Sequence, residues 1–235
     1  MFAFDSFQAI TFDCYGTLVD WESGILGVLR PLLADHGKRV IDGEILELYA
    51  ELEPAIQAVE YRRYRFVLEE VMRAVGQRFG FSVSIDEARS LAASLKRWTP
   101  FPDTVASLCA LKRRYRLGII SNIDDDLFSD TARQLHVAFD WVVTAEQARA
   151  YKPSPAIFEL ALEKMGLPPE KVLHAGQSVF HDVIPARQMG ISTVLVARRG
   201  PGATRRVSAA ADLEVPDLKT LAEMALGKGS PTRVG

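Results

Sequence analysis

The sequence has only two cysteines and no excess of charge of one sign. Cys14 and Cys109 lie in neither a Cys-x-x-Cys nor a Cys/His spacing, which excludes a disulfide framework and a thiolate metal cluster. Both are expected to be buried, reduced thiols. The 28 Lys and Arg and 30 Asp and Glu leave a formal net charge of -2, so no basic field for nucleic acid exists. A small-molecule substrate is the expected partner.

Long apolar runs are also lacking. None approaches the roughly 20 residues that cross a bilayer, and the N-terminal residues lack the basic and apolar segments of a secretory signal. The sequence therefore predicts a soluble cytoplasmic protein with no membrane partner. Its 235 residues, 48% of them hydrophobic, suffice for one large domain or two unequal ones.

The apolar pattern of the first hundred residues changes abruptly. A short buried strand is predicted at Ala9 to Phe12, after which the periodicity from Trp21 to about Trp98 is helical. Four helices are expected there, the second broken or kinked at Pro54 and the fourth opened by the capping box Ser84-x-x-Glu87. An all-helical block thus interrupts the chain after its first strand.

Beyond the prolines at 100 and 102, strand and helix patterns alternate. This alternation predicts right-handed crossovers and a parallel sheet covered on both faces, an α/β doubly wound fold of five strands with a helical insertion. The four later strands are predicted at 117–120, 141–143, 172–174 and 193–196.

Polar side chains follow several of these strands. Asp13 comes directly after the first, Ser121 and Asn122 follow the second, and Lys152 and Asp182 lie in later loops. Each alone has an ordinary explanation, since Asp often caps a turn and Lys before Pro is usually exposed. Because parallel strands place their carboxyl ends at one sheet edge, however, these groups are expected to meet in one cleft.

These segments resemble the haloacid dehalogenase-like hydrolase superfamily. Its motifs are a nucleophilic Asp in D-x-D-G-T-L, a Ser or Thr after the next strand, a Lys before a Pro-rich helix start, and G-D-S-x-x-x-D. The counterparts here are Asp13, Ser121, Lys152 and the segment 176–182. The resemblance implies a core domain of residues 1–18 and 99–235 and a helical cap domain of residues 19–98.

Two departures from the superfamily pattern bear on the reaction. Magnesium-dependent phosphatases carry a second Asp two residues after the nucleophile and another in the fourth motif, where this chain has Tyr15 and Gln177. Because Mg²⁺ prefers anionic oxygen ligands, these substitutions disfavour it without excluding it. An Asp-x-Tyr-Gly-Thr-Leu motif instead resembles the metal-independent 2-haloacid dehalogenase branch, which implies no cofactor.

That branch implies roles for individual residues. Asp13 displaces halide from a short 2-haloacid and forms an aspartyl ester, Asp182 helps water to hydrolyse it, and Lys152 offsets the charge of Asp13. The residues expected to bind substrate are Tyr15, Thr17, Ser121, Asn122, Gln177 and Ser178.

The cap departs from the pattern. Dehalogenases of the branch carry a halide-binding Arg on the second cap helix, but no Arg lies in 49–57. Glu51 and Glu53 would repel halide and substrate carboxylate if they faced the cleft. The arginines of 61–65 are candidates to replace the missing one, although a surface role is favoured for them.

Two other functions stay open. One is a small-molecule phosphatase that requires Mg²⁺, and the other is a non-catalytic binding protein that retains the fold. Relatives in the dehalogenase branch are often dimers, so the resemblance also leaves a homodimer open.

Overall fold

The computed structural model describes residues 2–198 and 209–227, and its centre is a parallel β-sheet. The strands are β1 (Ala9–Phe12), β2 (Arg116–Ser121), β3 (Trp141–Thr144), β4 (Val172–Gly176), β5 (Ser192–Val196) and β6 (Leu213–Val215). Their order across the sheet is β3-β2-β1-β4-β5-β6, which confirms the doubly wound α/β fold.

The predicted number of strands was wrong by one. Over the described part of the chain the sheet has six strands, because β6 pairs in parallel with β5 and matches Leu213 to Val194. A strand of three residues is too short to show an alternating apolar pattern, so nothing in the sequence distinguished it from a loop.

The register of the central strands sets the position of the site. Phe12, the last residue of β1, pairs with Ile119 on one side and with Ala175 on the other. The strand order reverses between β1 and β4, and in open α/β sheets the cleft at such a point binds ligands. Asp13 follows Phe12 at this point.

Helices cover both faces of the sheet. A single π-helical turn at Val179–Val183, which the sequence pattern did not predict, precedes the ninth helix. The helices after the insertion are α5 (Thr104–Leu111), α6 (Asp125–Leu135), α7 (Ala145–Ala148), α8 (Pro155–Met165), α9 (Ile184–Gln188) and α10 (Leu218–Ala225).

Cys109 is exposed on α5, so the prediction that it is buried was wrong, whereas Cys14 is buried.

Four helices lie between β1 and α5, as predicted, and are called the inserted helices below. The capping box of the fourth is present, with the Ser84 hydroxyl accepting from the Glu87 amide. They are α1 (Trp21–Asp35), α2 (Asp42–Gln57), α3 (Tyr64–Phe79) and α4 (Ile85–Ser94).

The sequence pattern predicted that the second inserted helix is broken or kinked at Pro54. It is not broken there, because the helix continues to Gln57. A proline removes one amide donor and crowds the preceding turn, and in the last turn of a helix few further hydrogen bonds depend on that turn. The continuation matters because it keeps Glu53 in regular helix.

The two connections to the inserted helices run side by side. Val19 forms an isolated antiparallel bridge with Pro100, and the Asp20 amide donates to the Thr99 carbonyl at 3.0 Å. No helix among residues 2–198 and 209–227 is both long and apolar enough to cross a membrane.

Candidate active site

Asp13 lies at the carboxyl end of the central strand and is held from two sides. Its Oδ2 accepts a hydrogen bond from the Thr17 hydroxyl at 2.9 Å, and its Oδ1 accepts from Lys152 Nζ at 2.8 Å. Gly16 has φ +94°, a backbone angle that favours glycine, and this turn brings Thr17 back to the carboxylate. Thr17 also accepts from the Gln177 amide at 2.9 Å, so it joins two of the predicted motifs.

Lys152 is the centre of the charged groups. It is 2% exposed, and Nζ donates to Asp13 Oδ1, to Asp182 Oδ1 at 2.6 Å and to the Ile120 carbonyl at 2.9 Å. Three acceptors therefore use all three donors of the ammonium group. The ammonium is fixed between two carboxylates.

The second carboxylate, Asp182, is buried behind Lys152. Its Oδ2 accepts from the Ser178 amide at 3.2 Å, while Oδ1 also lies 3.3 Å from His174 Nε2. A Cβ atom at Gly176 would lie 2.4 Å from Asp182 Cγ, so glycine is required there for this carboxylate to reach its place.

The pKa shifts follow from burial and from these pairs. Burial raises the pKa of Asp13, and Lys152 opposes that rise. Burial also disfavours ionisation of Asp182, but Lys152 and then His174 outweigh it and lower its pKa. Burial acts to lower the pKa of Lys152, yet the two carboxylates raise it. The ammonium thus stays charged, and with both carboxylates ionised the trio carries one net negative charge.

Two neighbouring residues at the end of β2 have different surroundings. The Asn122 side chain accepts from the Lys152 amide at 2.7 Å and donates to the Lys152 carbonyl at 3.1 Å, so it fixes the loop that carries the lysine. The Ser121 hydroxyl is buried and, within the described residues, has no hydrogen-bond partner. Ser121 is among the residues that line the cavity beside Asp13.

Three other predicted substrate-binding residues also line this cavity. The Tyr15 hydroxyl is bonded to Thr131 at 2.8 Å, which leaves its ring as cavity wall. Gln177 is half-buried and its Oε1 lies close to Gly16. Ser178 caps the π-helical turn by accepting from the His181 amide at 3.1 Å. Thr17, the fourth, contacts Asp13 rather than the cavity.

The inserted helices form the opposite wall of a cavity of about 50 Å³ that Asp13 lines from the sheet. They contribute Trp21, Glu53 and Tyr64. Glu53 is buried, whereas Glu51 is exposed and pairs with Arg78 outside the site.

None of the candidate arginines lines this cavity. Arg63 pairs with Glu146 at 3.2 Å, Arg65 with Asp126, and Arg62 with Glu60 at 3.3 Å. Arg63 and Arg65 join the inserted helices to residues that follow β2 and β3, and Arg62 pairs within its own segment at the surface. A carboxyl group therefore lies where the resemblance implies an arginine.

The donor set does not fit Mg²⁺. Lys152 occupies Oδ1 of both Asp13 and Asp182, and the remaining oxygen of Asp182 accepts a backbone amide. Gln177 brings no charge, and within the described residues no group of three His, Cys, Asp or Glu is placed to hold a metal ion.

Sequence reasoning did not single out Trp21, Tyr64 or His174. Trp21 was noted only as the start of the helical block, and Tyr64 lies in the 61–65 stretch that was interpreted as an amphipathic surface segment, yet both line the cavity. His174 is a buried histidine in the middle of β4, opposite Thr11 in the register, and its Nδ1 lies 2.9 Å from the Thr11 hydroxyl. A lone histidine inside an otherwise apolar strand was the available sign.

Known proteins that are similar to this chain include a phosphatase and dehalogenases. Glyceraldehyde 3-phosphate phosphatase of Methanothermobacter thermautotrophicus is 31% identical over 80% of this chain and 85% of its own. Haloacetate dehalogenase H-2 of Moraxella sp. is 28% identical over 82% of this chain and 87% of its own. The crystal structure of an L-2-haloacid dehalogenase superposes with a TM-score of 0.78 at 26% identity, covering 94% of this chain and 99% of the other.

The haloacid dehalogenase-like hydrolase family model matches residues 7–190, which include β1, the inserted helices and every side chain of the Asp13 site. Since that match spans most of the 235 residues, the chain belongs to the haloacid dehalogenase-like hydrolases.

Proposed function

We propose that this hydrolase removes halide from short 2-haloacids without a metal ion, through an ester on Asp13. The observation that carries the proposal is the Asp13–Lys152–Asp182 arrangement, in which a buried ammonium group lies between two carboxylates at the cavity. The names of the dehalogenase relatives support this choice of substrate class.

In the first step Asp13 is the nucleophile. One carboxylate oxygen attacks C2 of the haloacid, a C–O bond forms as the carbon–halogen bond breaks, and the halide leaves with the bonding pair. Lys152 favours the ionised form of Asp13 against the effect of burial. Thr17 fixes Oδ2, which keeps the carboxylate in one orientation for attack.

In the second step water hydrolyses the ester. A water held by Asp182 adds to Cγ of Asp13 and gives a proton to Asp182. Collapse of the tetrahedral intermediate expels the 2-hydroxy acid oxygen, which takes that proton, and the Asp13 carboxylate is restored when its second proton leaves. The products are halide, the 2-hydroxy acid and one proton, and the new oxygen of Asp13 comes from water.

The substrate carboxylate is proposed to lie at the end of β2. The Ser121 hydroxyl is a buried donor with no other partner in the described chain. The neighbouring residue Asn122 also lines the cavity, and its side-chain amide has a second hydrogen besides the one donated to the Lys152 carbonyl. Hydrogen bonds from such donors hold an anion without adding a mobile charge. The carbon to be attacked would then lie between this carboxylate and Asp13.

The inserted helices are proposed to act as a cap, residues 19–98, over the core of residues 1–18 and 99–235. The paired segments at Val19 and Pro100 are the hinge in this proposal. Closure excludes bulk water from the ester, and opening releases the hydroxy acid.

The direct test is chloride release from chloroacetate and 2-chloropropanoate in the presence of a chelator. We expect release by the native protein and none by Asp13→Asn, which should keep the fold because an amide has nearly the same shape. A single turnover in ¹⁸O-labelled water should leave the label on Asp13, as mass spectrometry of the peptide would detect.

A phosphatase is the second candidate, favoured by the 31% identity to a glyceraldehyde 3-phosphate phosphatase. Phosphate release that requires Mg²⁺, with no chloride release, would replace the dehalogenase proposal by this one. If the folded protein released neither product and Asp13 acquired no label, the protein would be a binding protein that retains the fold.

A further inference from the structure

Glu53 is the acidic group that the inserted helices bring to the cavity. It is 7% exposed and lies with Trp21 and Tyr64 on the wall opposite Asp13. The mechanism above uses Asp13, Lys152 and Asp182 from the sheet side and leaves this carboxyl group without a role.

Within the described part of the chain, the hydrogen bonds of Glu53 are all on one oxygen. Tyr64 donates to Oε1 at 3.2 Å, and the Gln57 side-chain amide donates to the same atom. Because Tyr64 uses its single proton on Glu53, Tyr49 must donate to Tyr64, whose hydroxyl lies 3.1 Å away. Among the described residues no donor reaches Oε2, so a proton held by Glu53 belongs on Oε2.

The surroundings of Glu53 favour its protonated, neutral form. Burial raises the pKa of Glu53 to about 7, and the Tyr64 hydrogen bond opposes the rise. Asp13, Lys152, Asp182 and His181 line the cavity with it, and with both carboxylates ionised the first three sum to one negative charge. Tyr49, Tyr64 and Tyr151 also interact with Glu53, and the pKa of each is raised. An ionised Glu53 would therefore repel both a carboxylate substrate and a departing halide.

The direction of attack places the departing group on the Glu53 side. A nucleophile displaces a halide from the back of the carbon, so the halogen points away from Asp13. The sheet side supplies Asp13 and the Ser121 hydroxyl, whereas Glu53 comes from the inserted helices across the cavity.

We propose that Glu53, as a neutral acid, donates a hydrogen bond from Oε2 to the halogen as it leaves. This rests on the dehalogenase proposal and names the residue that takes the place of the absent cap arginine. The proton stays on Glu53 throughout, since a halide ion is too weak a base to remove it, and only the hydrogen bond strengthens as charge develops.

The pH dependence of kcat/KM for 2-chloropropanoate tests this inference. In the native protein it should fall about 30-fold between about pH 6 and pH 8.5, as Glu53 ionises. Glu53→Gln should abolish this fall, because the amide oxygen accepts from Tyr64 and Gln57 while its NH₂ group faces the cavity at every pH. Glu53→Leu should lower the value at least about tenfold at the acidic end.

Two further variants separate contact with substrate from a structural role. Tyr64→Phe removes a hydrogen bond that lowers the pKa of Glu53, so the fall should move to higher pH. Glu51→Gln, a carboxylate on the same helix outside the cavity, should reproduce the native profile.

Two results would overturn the inference alone while chloride release continues. One is a Glu53→Gln variant as impaired as Glu53→Leu, which would mean that the ionised form or proton transfer is needed. The other is a Glu53→Leu variant with native rate and profile, which would mean no contact. Absence of chloride release by the native protein at every pH would overturn the dehalogenase proposal and this inference together.

Discussion

Lys152 determines the charge balance of the site through its three hydrogen bonds. Two buried carboxylates without a cation between them could not both ionise, because each would raise the pKa of the other. The ammonium group offsets the charge of both, including Asp13, the nucleophile of the proposed reaction. One fixed side chain thus stabilises the ionised form of two carboxylates.

Gly176 provides a test of the placement of Asp182. In Gly176→Ala the added methyl group would overlap Asp182 Cγ, so the carboxylate must move. We expect chloride release to fall at least about tenfold and the free energy of unfolding to fall by about 1–3 kcal/mol. Steady-state kinetics and urea denaturation measure the two effects.

The matched control is Gly27→Ala on α1, where a Cβ meets nothing within 4 Å. It should leave the kinetics unchanged and raise the free energy of unfolding by about 0.5–1 kcal/mol, because alanine is the better helix former. Native activity in Gly176→Ala would show that the site tolerates a displaced Asp182.

The pKa of Glu53 also predicts how stability depends on pH. The pKa of Glu53 is about 7 in the folded protein and 4.5 in the unfolded chain, so the folded protein retains this proton to higher pH. Its contribution to the free energy of unfolding therefore falls as pH rises through 4.5 and levels off above about 7, a total of about 3 kcal/mol. Urea denaturation at about pH 5 and pH 8 should show that the free energy of unfolding of Glu53→Gln increases relative to that of the native protein as pH rises. Glu51→Gln should show no such relative increase. A constant difference between Glu53→Gln and the native protein would contradict the raised pKa.

At the residue level the sequence predicted which charged groups meet at the sheet edge better than it predicted which side chains of the inserted helices line the cavity. Asp13, Lys152 and Asp182 follow or precede strands in a fixed order, and the sheet geometry alone brings them together. The sequence indicated that Glu53 would repel an anionic substrate if it faced the cleft. Whether it does so depends on how α2 is oriented over the sheet. That orientation follows from packing between distant helices and leaves no local pattern.

At the scale of elements, the junction between α3 and the segment that follows β2 depends on Asp124. This buried carboxylate accepts from the amides of Tyr64 at 2.7 Å and Arg65 at 3.1 Å, at the start of α3. The first amides of a helix lack partners within it, so the carboxylate supplies them and complements the helix dipole. The position of Tyr64, and through it Glu53, therefore depends on a residue beyond β2.

Asp124→Ala should loosen this junction. One buried and one part-buried amide lose their acceptor, for which we expect a loss of about 2–3 kcal/mol in the free energy of unfolding. Hydrogen exchange at the Tyr64 and Arg65 amides should become faster, as mass spectrometry would detect. Arg63 and Arg65 pair with both Asp124 and Asp126. Asp126→Ala removes only the exposed partner of these two arginines and should lower the free energy of unfolding by no more than about 0.5 kcal/mol. Equal effects from the two variants would contradict the assigned role of Asp124.

Long elements were predictable and short ones were not. Helical stripes and strands of four or more residues carry enough repeats for their period to be recognised, as in β2 and α8. The three residues of β6 and the π-helical turn at Val179–Val183 carry too few. The predicted break at Pro54 is absent because only the last turn of α2 follows this proline, and the sequence pattern did not show where the helix ends.

At the scale of the whole molecule, the inserted helices and the sheet enclose a small cavity between two larger ones. One neighbour, about 320 Å³, shares Trp21 and Gln177 with the site, and the other, about 490 Å³, shares Lys152 and His181. The central cavity of about 50 Å³ is what remains when the inserted helices lie over Asp13. Its walls are formed by both parts of the chain, so its size is a property of the assembled fold.

This enclosure predicts selection by substrate length. Chloroacetate and 2-chloropropanoate should fit beneath Trp21, whereas the side chain of 2-chlorohexanoate must displace it or hold the inserted helices open. We expect kcat/KM for chloride release to be at least about tenfold lower for the longest substrate. Trp21→Ala should reduce this difference, because removing the indole joins the site to the cavity of about 320 Å³ on its far side. Equal values of kcat/KM for all three substrates in the native protein would mean that the reaction takes place with the inserted helices away from Asp13.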